Sequence, residues 1–443
     1  MFLEKLKNNL KDKKILILGF GKEGIDTFLA LRKLFPKKKI DIADRLEFKD
    51  FDKKAKEIFR KNKNLKSYLG KNYLNFLKKY EFIIKAPGVN LKKIKPFLNT
   101  RTKITSQTEI FFDYCPGKII GVTGTKGKGT TCSLIYQILK KTIPNTYLVG
   151  NIGNPVFQKL LKSEKDDIFV YELSSHQLQS LKKSPHIAVF LNLYPDHLDY
   201  YKSLNEYYKS KESIFKYQTR EDYLIFNPKL RDIVRNAKAK KIAIKDINVR
   251  RIKKDLPKNI NLMNLEASIL VAKILKIPEK EIKKAIKYFK FLNHRLEFVG
   301  NYKNIKFYND SFATIPEATI FAMDTLKDVK TLILGGSKKG KIDFSNLAKK
   351  ISKSKIENLI FFPLTGKDIW RIIQISFKVN KKKLPKHFFV DSMSKAVNIA
   401  YQNTKKGSVC LLSPACASFT TFKNYKERGN LFKKYVKNYG KKS

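Results

Sequence analysis

At 443 residues, 42% hydrophobic and with a formal net charge of +54, the chain has room for two to four domains, each with a core of its own. The charge is almost all Lys spread along the whole length, Arg is scarce and no base-reading motif is present, which favours a solvated lysine surface over a specific nucleic-acid site. No run approaches the ~18 apolar residues that cross a bilayer. The first apolar run (Ile15 to Phe20) is too short for a secretory leader, and Cys115, Cys132, Cys410 and Cys416 lack C-x-x-C spacing. A membrane span, a signal peptide, a zinc site and a disulfide framework are therefore not expected, and the expected compartment is the cytoplasm.

In chain order, Lys14 to Leu18 reads as a strand, followed by Gly19-Phe20-Gly21-Lys22-Glu23-Gly24 and a helix from Ile25 to Leu34. This G-x-G-x-x-G between strand and helix is a weak dinucleotide-type signal. A second strand (Lys39 to Ala43) ends at Asp44, an acid spaced to bind ribose or base hydroxyls, and a third (Tyr80 to Lys85) ends in Ala86-Pro87-Gly88. The three strand ends are expected to face one crevice.

A second segment runs from about Thr102 to Leu292. An apolar strand, Lys118-Ile119-Ile120, leads into Gly121-Val122-Thr123-Gly124-Thr125-Lys126-Gly127-Lys128-Gly129-Thr130-Thr131 and then a helix (Ser133 to Lys141). Backbone N–H groups in such a turn converge on oxyanions, and Lys128 is placed to reach the terminal phosphates of a nucleotide. The strict phosphate-loop pattern is not met: Val122 replaces the first Gly, and Gly129 replaces the metal-binding hydroxyl, for which Thr130 is the nearest substitute. Gly150-Asn151-Ile152-Gly153 follows, then the strand Ile168 to Glu172, whose terminal carboxylate is placed to hold Mg²⁺ against phosphates. A strand from Ile187 to Leu191 leads to His197, flanked by Asp196 and Asp199, a candidate for a metal or phosphate role. Lys211, in a helix-like stretch, is by composition one more solvated lysine. Alternating strands and helices predict a mainly parallel sheet.

The third segment starts near Asn293. Its strands read at Ile305 to Tyr308, Lys330 to Leu334, Asn358 to Phe362, Phe388 to Val390 and Ser408 to Leu412, with helices starting near Pro316 and Ser394. Three of its turns carry chemistry-bearing or small residues: Asn309-Asp310-Ser311, Gly335-Gly336-Ser337-Lys338-Lys339-Gly340, which fits an anion cradle or a flexible connector, and Ser413-Pro414-Ala415-Cys416-Ala417-Ser418, whose small residues permit close approach by ligand or backbone.

These motifs, together with Glu172-Leu173-Ser174-Ser175-His176-Gln177-Leu178, His294-Arg295 and Phe422-Lys423-Asn424-Tyr425-Lys426-Glu427-Arg428-Gly429, resemble the Mur ligases, the ATP-dependent amide-bond-forming enzymes of peptidoglycan precursor synthesis. The resemblance runs almost end to end. It implies an α/β protein of three domains: a Rossmann-like N-terminal domain that binds a UDP-substrate (1–101), a central P-loop-type ATP-binding domain with a parallel sheet (102–292), and a Rossmann-like C-terminal domain that brings in the amino acid (293–443). It further implies ATP and two Mg²⁺ ions, with Lys128 on the ATP phosphates, Glu172 on Mg²⁺, and His197 and a carbamate on Lys211 at the second metal. Asn261 and Asn264 match residues near the adenine, Asp310 the residue that holds the ATP ribose, and Arg295 one near the phosphates. Gly19, Phe20, Gly21, Lys22, Asp44, Pro87, Gly88 and Asn151 match the UDP end, and Lys339, Ser418 and Tyr425 the amino-acid site.

Within the family, the Glu172 to Leu178 stretch and the Ser413 to Gly429 block favour the member that joins D-glutamate to UDP-N-acetylmuramoyl-L-alanine, expected as a monomer. A sister ligase with another amino-acid acceptor and a folylpolyglutamate-synthase-like ligase are the alternatives, and the Ser413 to Gly429 block argues against both. The chain departs from the family pattern at Lys126 (commonly Asn), Gly129 (Ser or Thr), Ile260 (His), Phe312 (Lys) and Tyr425 (often Phe).

Overall fold

The computed structural model describes residues 2–150, 156–195, 200–245, 249, 261–289, 293–337, 342–380, 383–418 and 421–441. The chain divides into two compact units. One runs to Phe289 and holds two sheets, and the other holds a third, C-terminal sheet.

The first sheet contains β1 (Ile15–Leu18), β2 (Ile40–Asp44), β3 (Ser67–Leu69), β4 (Phe82–Lys85) and β5 (Lys103–Ser106), in the order β3-β2-β1-β4-β5 and parallel throughout. β1 (Ile-Leu-Ile-Leu) is buried at every position, as expected of a strand covered on both faces. The order reverses between β1 and β4, the place where open α/β sheets bind ligands at their carboxyl edge.

The second sheet is also parallel. Its order is β11 (Lys240–Ala243), β10 (Tyr223–Phe226), β9 (Ile187–Phe190), β6 (Lys118–Thr123), β8 (Ile168–Glu172) and β7 (Thr146–Gly150). Its switch point lies at β6, which pairs with both β8 and β9. One apolar core runs through both sheets of this unit and includes Phe20, Phe28, Phe111, Phe169, Tyr171 and Phe190. Polar links reinforce it. Buried Asp26 accepts from Gln107 Nε2 (2.8 Å), the Phe157 N–H (2.8 Å) and Gln158 Nε2 (3.0 Å).

In the C-terminal unit the order is β12 (Glu297–Tyr302), β13 (Ile305–Asn309), β17 (Val409–Leu412), β14 (Val329–Gly336), β15 (Asn358–Leu364) and β16 (Lys386–Phe389). All pairs are parallel except the β12–β13 hairpin. Helices pack on this sheet around two apolar clusters, one centred on Leu332, Leu334, Phe361 and Ile373, the other on Phe307, Phe362, Ala396 and Phe432. No helix among the described residues is long and apolar enough to cross a membrane. Cys132, Cys410 and Cys416 are buried, as expected of small core residues, whereas Cys115 is only partly so, and none of the four is in a disulfide.

Candidate active site

The three strand ends of the first sheet that carry Gly19, Asp44 and Ala86 interlock. Gly19 turns with φ +94°, and a Cβ there would lie 2.7 Å from the Ala86 Cβ, so the glycine is needed for the close approach. Asp44 accepts the Phe20 N–H at 2.6 Å and the Leu46 N–H at 2.9 Å, so its carboxylate braces the glycine turn from the neighbouring strand. The Phe20 ring belongs to the core, packed against Phe28, Phe51 and Phe59, and what it presents at the sheet edge is backbone. Gly21 caps the helix Lys22–Leu34, three residues earlier than the sequence pattern suggested, and Lys22 and Gly88 are exposed beside it.

In the second sheet, Gly124 (φ +151°) and Gly127 (φ +84°) carry the chain from β6 into the helix Lys128–Lys140. A Cβ at Gly127 would stand 2.5 Å from Asn264 Oδ1, so Asn264 packs directly on the loop. Asn261 caps the helix Leu262–Ile274 by accepting the Asn264 N–H at 3.1 Å. Asn192, just past β9, grips the loop from the other side. Its Oδ1 accepts the Lys126 N–H (2.8 Å), its Nδ2 donates to the Lys126 carbonyl (3.0 Å), and its own carbonyl accepts the Thr125 N–H (3.0 Å). The Thr125 hydroxyl accepts the Tyr194 N–H (2.9 Å) and lies 3.0 Å from the Tyr207 hydroxyl. The side-chain roles of Asn192 and Tyr207 were not read from the sequence. An Asn directly at a strand end beside the loop strand was the one available signal for the first, and nothing marked the second among 21 tyrosines.

Two ammonium groups converge on this loop. Lys128 Nζ donates to the Gly124 carbonyl at 2.9 Å and the Thr125 carbonyl at 3.0 Å, and Lys211 Nζ donates to the same Gly124 carbonyl at 3.2 Å. Lys211 is only 2% exposed, on the helix Leu204–Glu212, with its Nζ 5.0 Å from the centre of the Tyr207 ring. The expectation from composition, a solvated lysine, is overturned, because its helix turns that face inward. Both Nζ atoms touch one oxygen and so lie within about 6 Å of each other. Glu172, 1% exposed, ends β8 at the position paired with Val122, one residue before the end of β6. Gly129 is buried in the first helical turn, and Thr130 beside it is partly exposed.

In the C-terminal unit, Asn309 pairs with Leu412, so Asp310 and Ser413 leave adjacent strands together. Asp310 accepts from Ser413 Oγ (2.8 Å) and from the Leu296 N–H (3.2 Å). Burial nevertheless pushes its carboxyl up to about 7, against those bonds and the charges of Arg295 and Arg428. The two small-residue turns meet backbone to backbone where they leave their strands, and residues 338–340 of the first lie outside the described residues. Gly335 N–H donates to the Pro414 carbonyl, and Ser337 N–H to the Ala417 carbonyl, each at 2.9 Å. Arg428, fully buried, was quoted in the family motif without a role. Its guanidinium donates to Ser311 Oγ (3.0 Å) and to the carbonyls of Ser311 (2.9 Å), Cys416 (3.1 Å) and Ala417 (3.3 Å), tying the two motifs together. Burial lowers it to about 10. Ser418 is buried, and Tyr425 opens the helix Tyr425–Lys441. Asn151, His197 and Lys339 lie outside the described residues.

Three α/β sheets, one of them with a Gly-Lys loop between its central strand and a helix, define a modular nucleotide-using enzyme. Comparison with known proteins narrows this. The family model for the Mur ligase middle domain matches residues 122–289, and that for the Mur ligase glutamate ligase domain matches residues 294–416. The chain is 33% identical to a UDP-N-acetylmuramoylalanine--D-glutamate ligase from Clostridium tetani over 458 residues, covering 98% of both proteins. It is also 33% identical to the protein of that name from Acetivibrio thermocellus over 469 residues, again covering 98% of both. Among solved structures it is similar in fold to a MurF ligase from Thermotoga maritima in complex with ADP, at 15% identity and a TM-score of 0.58, covering 97% of each chain. The chain belongs to the Mur ligase family, and is an ATP-dependent, ADP-forming ligase of peptidoglycan precursor synthesis.

Proposed function

We propose that the protein joins the amine of D-glutamate to the L-alanyl carboxylate of UDP-N-acetylmuramoyl-L-alanine, with ATP split to ADP and phosphate. The observation that carries this reading is the convergence of Lys128 and buried Lys211 on the Gly124 carbonyl, at the sheet edge where Glu172 ends β8. The full-length likeness to ligases of that name supplies the choice of substrates.

A carboxylate is a poor electrophile. Phosphorylation by ATP converts it to an acyl phosphate, the amine of D-glutamate attacks the carbonyl carbon, and the tetrahedral intermediate expels phosphate. Lys128, held by two backbone carbonyls, is pre-positioned to exchange them for phosphate oxygens and to stabilise the transferring group. Asn192 and Asn264 hold the loop from its two sides, Asn192 by taking up the Thr125 and Lys126 N–H groups itself. Glu172 and the Thr130 hydroxyl offer the hard oxygen donors that Mg²⁺ takes. Bound Mg²⁺ supplies charge neutralisation on the phosphoryl group. A second ion is assigned to His197 and to Lys211 as a carbamate, a change that replaces the ammonium pair with an anion facing Lys128.

Asn261 and Asn264 are assigned to the adenine, Asp310 to the ribose and Arg295 to the phosphates. Gly19, Phe20, Gly21, Lys22, Asp44, Pro87, Gly88 and Asn151 are assigned to the UDP end, and Lys339, Ser418 and Tyr425 to D-glutamate. Residues 1–101, 102–292 and 293–443 form the three functional domains of a monomeric, cytoplasmic enzyme. Phosphate release from ATP with UDP-N-acetylmuramoyl-L-alanine and each of D-glutamate, L-glutamate, D-aspartate, L-lysine and meso-diaminopimelate tests the reading. Release with D-glutamate alone is expected. Release only with another amino acid would overturn the specificity, and release with none would overturn the ligase assignment.

A further inference from the structure

Two arginines of the C-terminal unit are used in opposite ways. Arg428 spends its donors on four protein acceptors. Arg295 instead lays its guanidinium over the Phe312 ring, with Cζ 4.1 Å from the ring centre, and among the described residues no hydrogen bond or ion pair engages its N–H groups. Asp310 feels its charge, yet accepts from Ser413 and Leu296.

Stacking on an aromatic face uses the face of the guanidinium and leaves its in-plane fork of donors open, the geometry that suits bidentate capture of a phosphate or carboxylate. The ring is itself held. The Phe312 N–H donates to the His294 carbonyl at 3.0 Å, which locks it to the residue just before Arg295. On another side, the Tyr425 ring meets Phe312 edge-on, at 4.8 Å and 87°. Tyr425 is anchored in turn, its carbonyl accepting Ser311 Oγ at 2.8 Å.

We propose that Phe312 is a positioning residue: it holds the Arg295 guanidinium with its donor edge presented to a phosphate oxyanion of ATP, and Tyr425 braces the ring. This rests on the ligase reading above. It also gives Phe312 a role that an apolar side chain without a ring face could not fill, since a flexible arginine must otherwise be ordered at the moment of binding.

The test uses the full-length enzyme and a double-mutant cycle. Phe312→Leu keeps apolar bulk and removes the ring face. It should raise the KM for ATP and weaken binding of a non-hydrolysable ATP analogue, measured by calorimetry, by about 5- to 30-fold. The KM for D-glutamate should move by less than about 2-fold, and Phe312→Tyr should restore both ATP readouts. In an Arg295→Lys background, where the planar fork is gone, Phe312→Leu should cost less than about 2-fold. An equal loss in both backgrounds, or no loss in either, would overturn the proposal. If Phe312→Leu does not fold, Phe312→Met, which also lacks a ring face, goes through the same cycle: it should weaken analogue binding at least about 5-fold in the parent and less than about 2-fold beside Arg295→Lys, and an equal loss in both or unchanged affinity would overturn the proposal. Analogue binding is read without turnover, so its outcome stands apart from whether D-glutamate is the amino acid used.

Discussion

Replacing Glu23 by Gln should stabilise the protein in a pH-dependent way. Glu23 sits in the first turn of the helix Lys22–Leu34 that follows the glycine turn after β1. Its Oε1 accepts Gln177 Nε2 at 2.9 Å, while Oε2 is shut off from solvent with no partner among the described residues. Parts of the residue reach the surface, but this oxygen does not. Burial pushes the carboxyl up to about 7, outweighing the Gln177 bond and the charges of Lys85 and Lys22, and Asp26 adds to the rise. An unfolded chain releases the same proton near 4.5. Between those two values the folded state keeps a proton that the unfolded state gives up, so this group's contribution falls as pH rises through the window and is flat above it. The width of the window, at about 1.4 kcal/mol per pH unit, sets the loss at ~3 kcal/mol. Glutamine keeps an oxygen for Gln177 and removes the titration. The unfolding free energy of Glu23→Gln relative to the parent should therefore be about 1–3 kcal/mol higher, meaning a more stable variant, at about pH 8 than at about pH 5, read from urea midpoints with the m-value checked. A difference that does not change with pH would refute the reasoning.

Lys211→Met removes the Nζ that meets the Gly124 carbonyl, so kcat should fall at least about 10²-fold through loss of the proposed carbamate. A kcat within a factor of about two of the parent would remove Lys211 from the mechanism. Gly127→Ala meets both a φ of +84° and the Asn264 side chain. It should raise the KM for ATP about 10-fold or more, and an unchanged KM would show that the loop relaxes freely. Arg428→Lys cannot span four acceptors on two motifs, and should cost about 3 kcal/mol in denaturant unfolding; a loss below about 1 kcal/mol would contradict the clamp.

The phosphate loop was legible because its signal is local. Apolar strand, glycine turn and helix follow one another, and the structure places them so, with the helix starting at Lys128 rather than Ser133. The strands Ile168–Glu172 and Ile187–Phe190 were legible for the same reason, as short apolar runs between turns. The β12–β13 hairpin was not. Its turn is Lys303-Asn304, both at positive φ (+49° and +59°), and the Asn-Gly or Asp-Gly pair that advertises such a turn is missing. Lys211 could not be told from the other lysines, because its burial depends on which face of a short helix docks on the sheet. Arg428 binds residues 11 to 117 positions away, a distance over which spacing carries no information. The site residues that spacing alone pointed to are those at strand ends and on the loops after them, whereas the roles of Lys211, Asn261, Asn264 and Tyr425, on or capping helices, came only through the family resemblance. Those that sequence reasoning missed, Asn192, Tyr207 and Arg428, act by holding such loops in place.

The central claim is that ATP activates the substrate carboxylate and that the protein does not simply hydrolyse ATP. The direct test is to label both L-alanyl carboxylate oxygens of UDP-N-acetylmuramoyl-L-alanine with oxygen-18 and analyse the phosphate released in the presence of ATP and D-glutamate. Passage through an acyl phosphate predicts one labelled oxygen in each phosphate released and one retained in the new amide. Unlabelled phosphate, with both labels still in the substrate, would contradict the account.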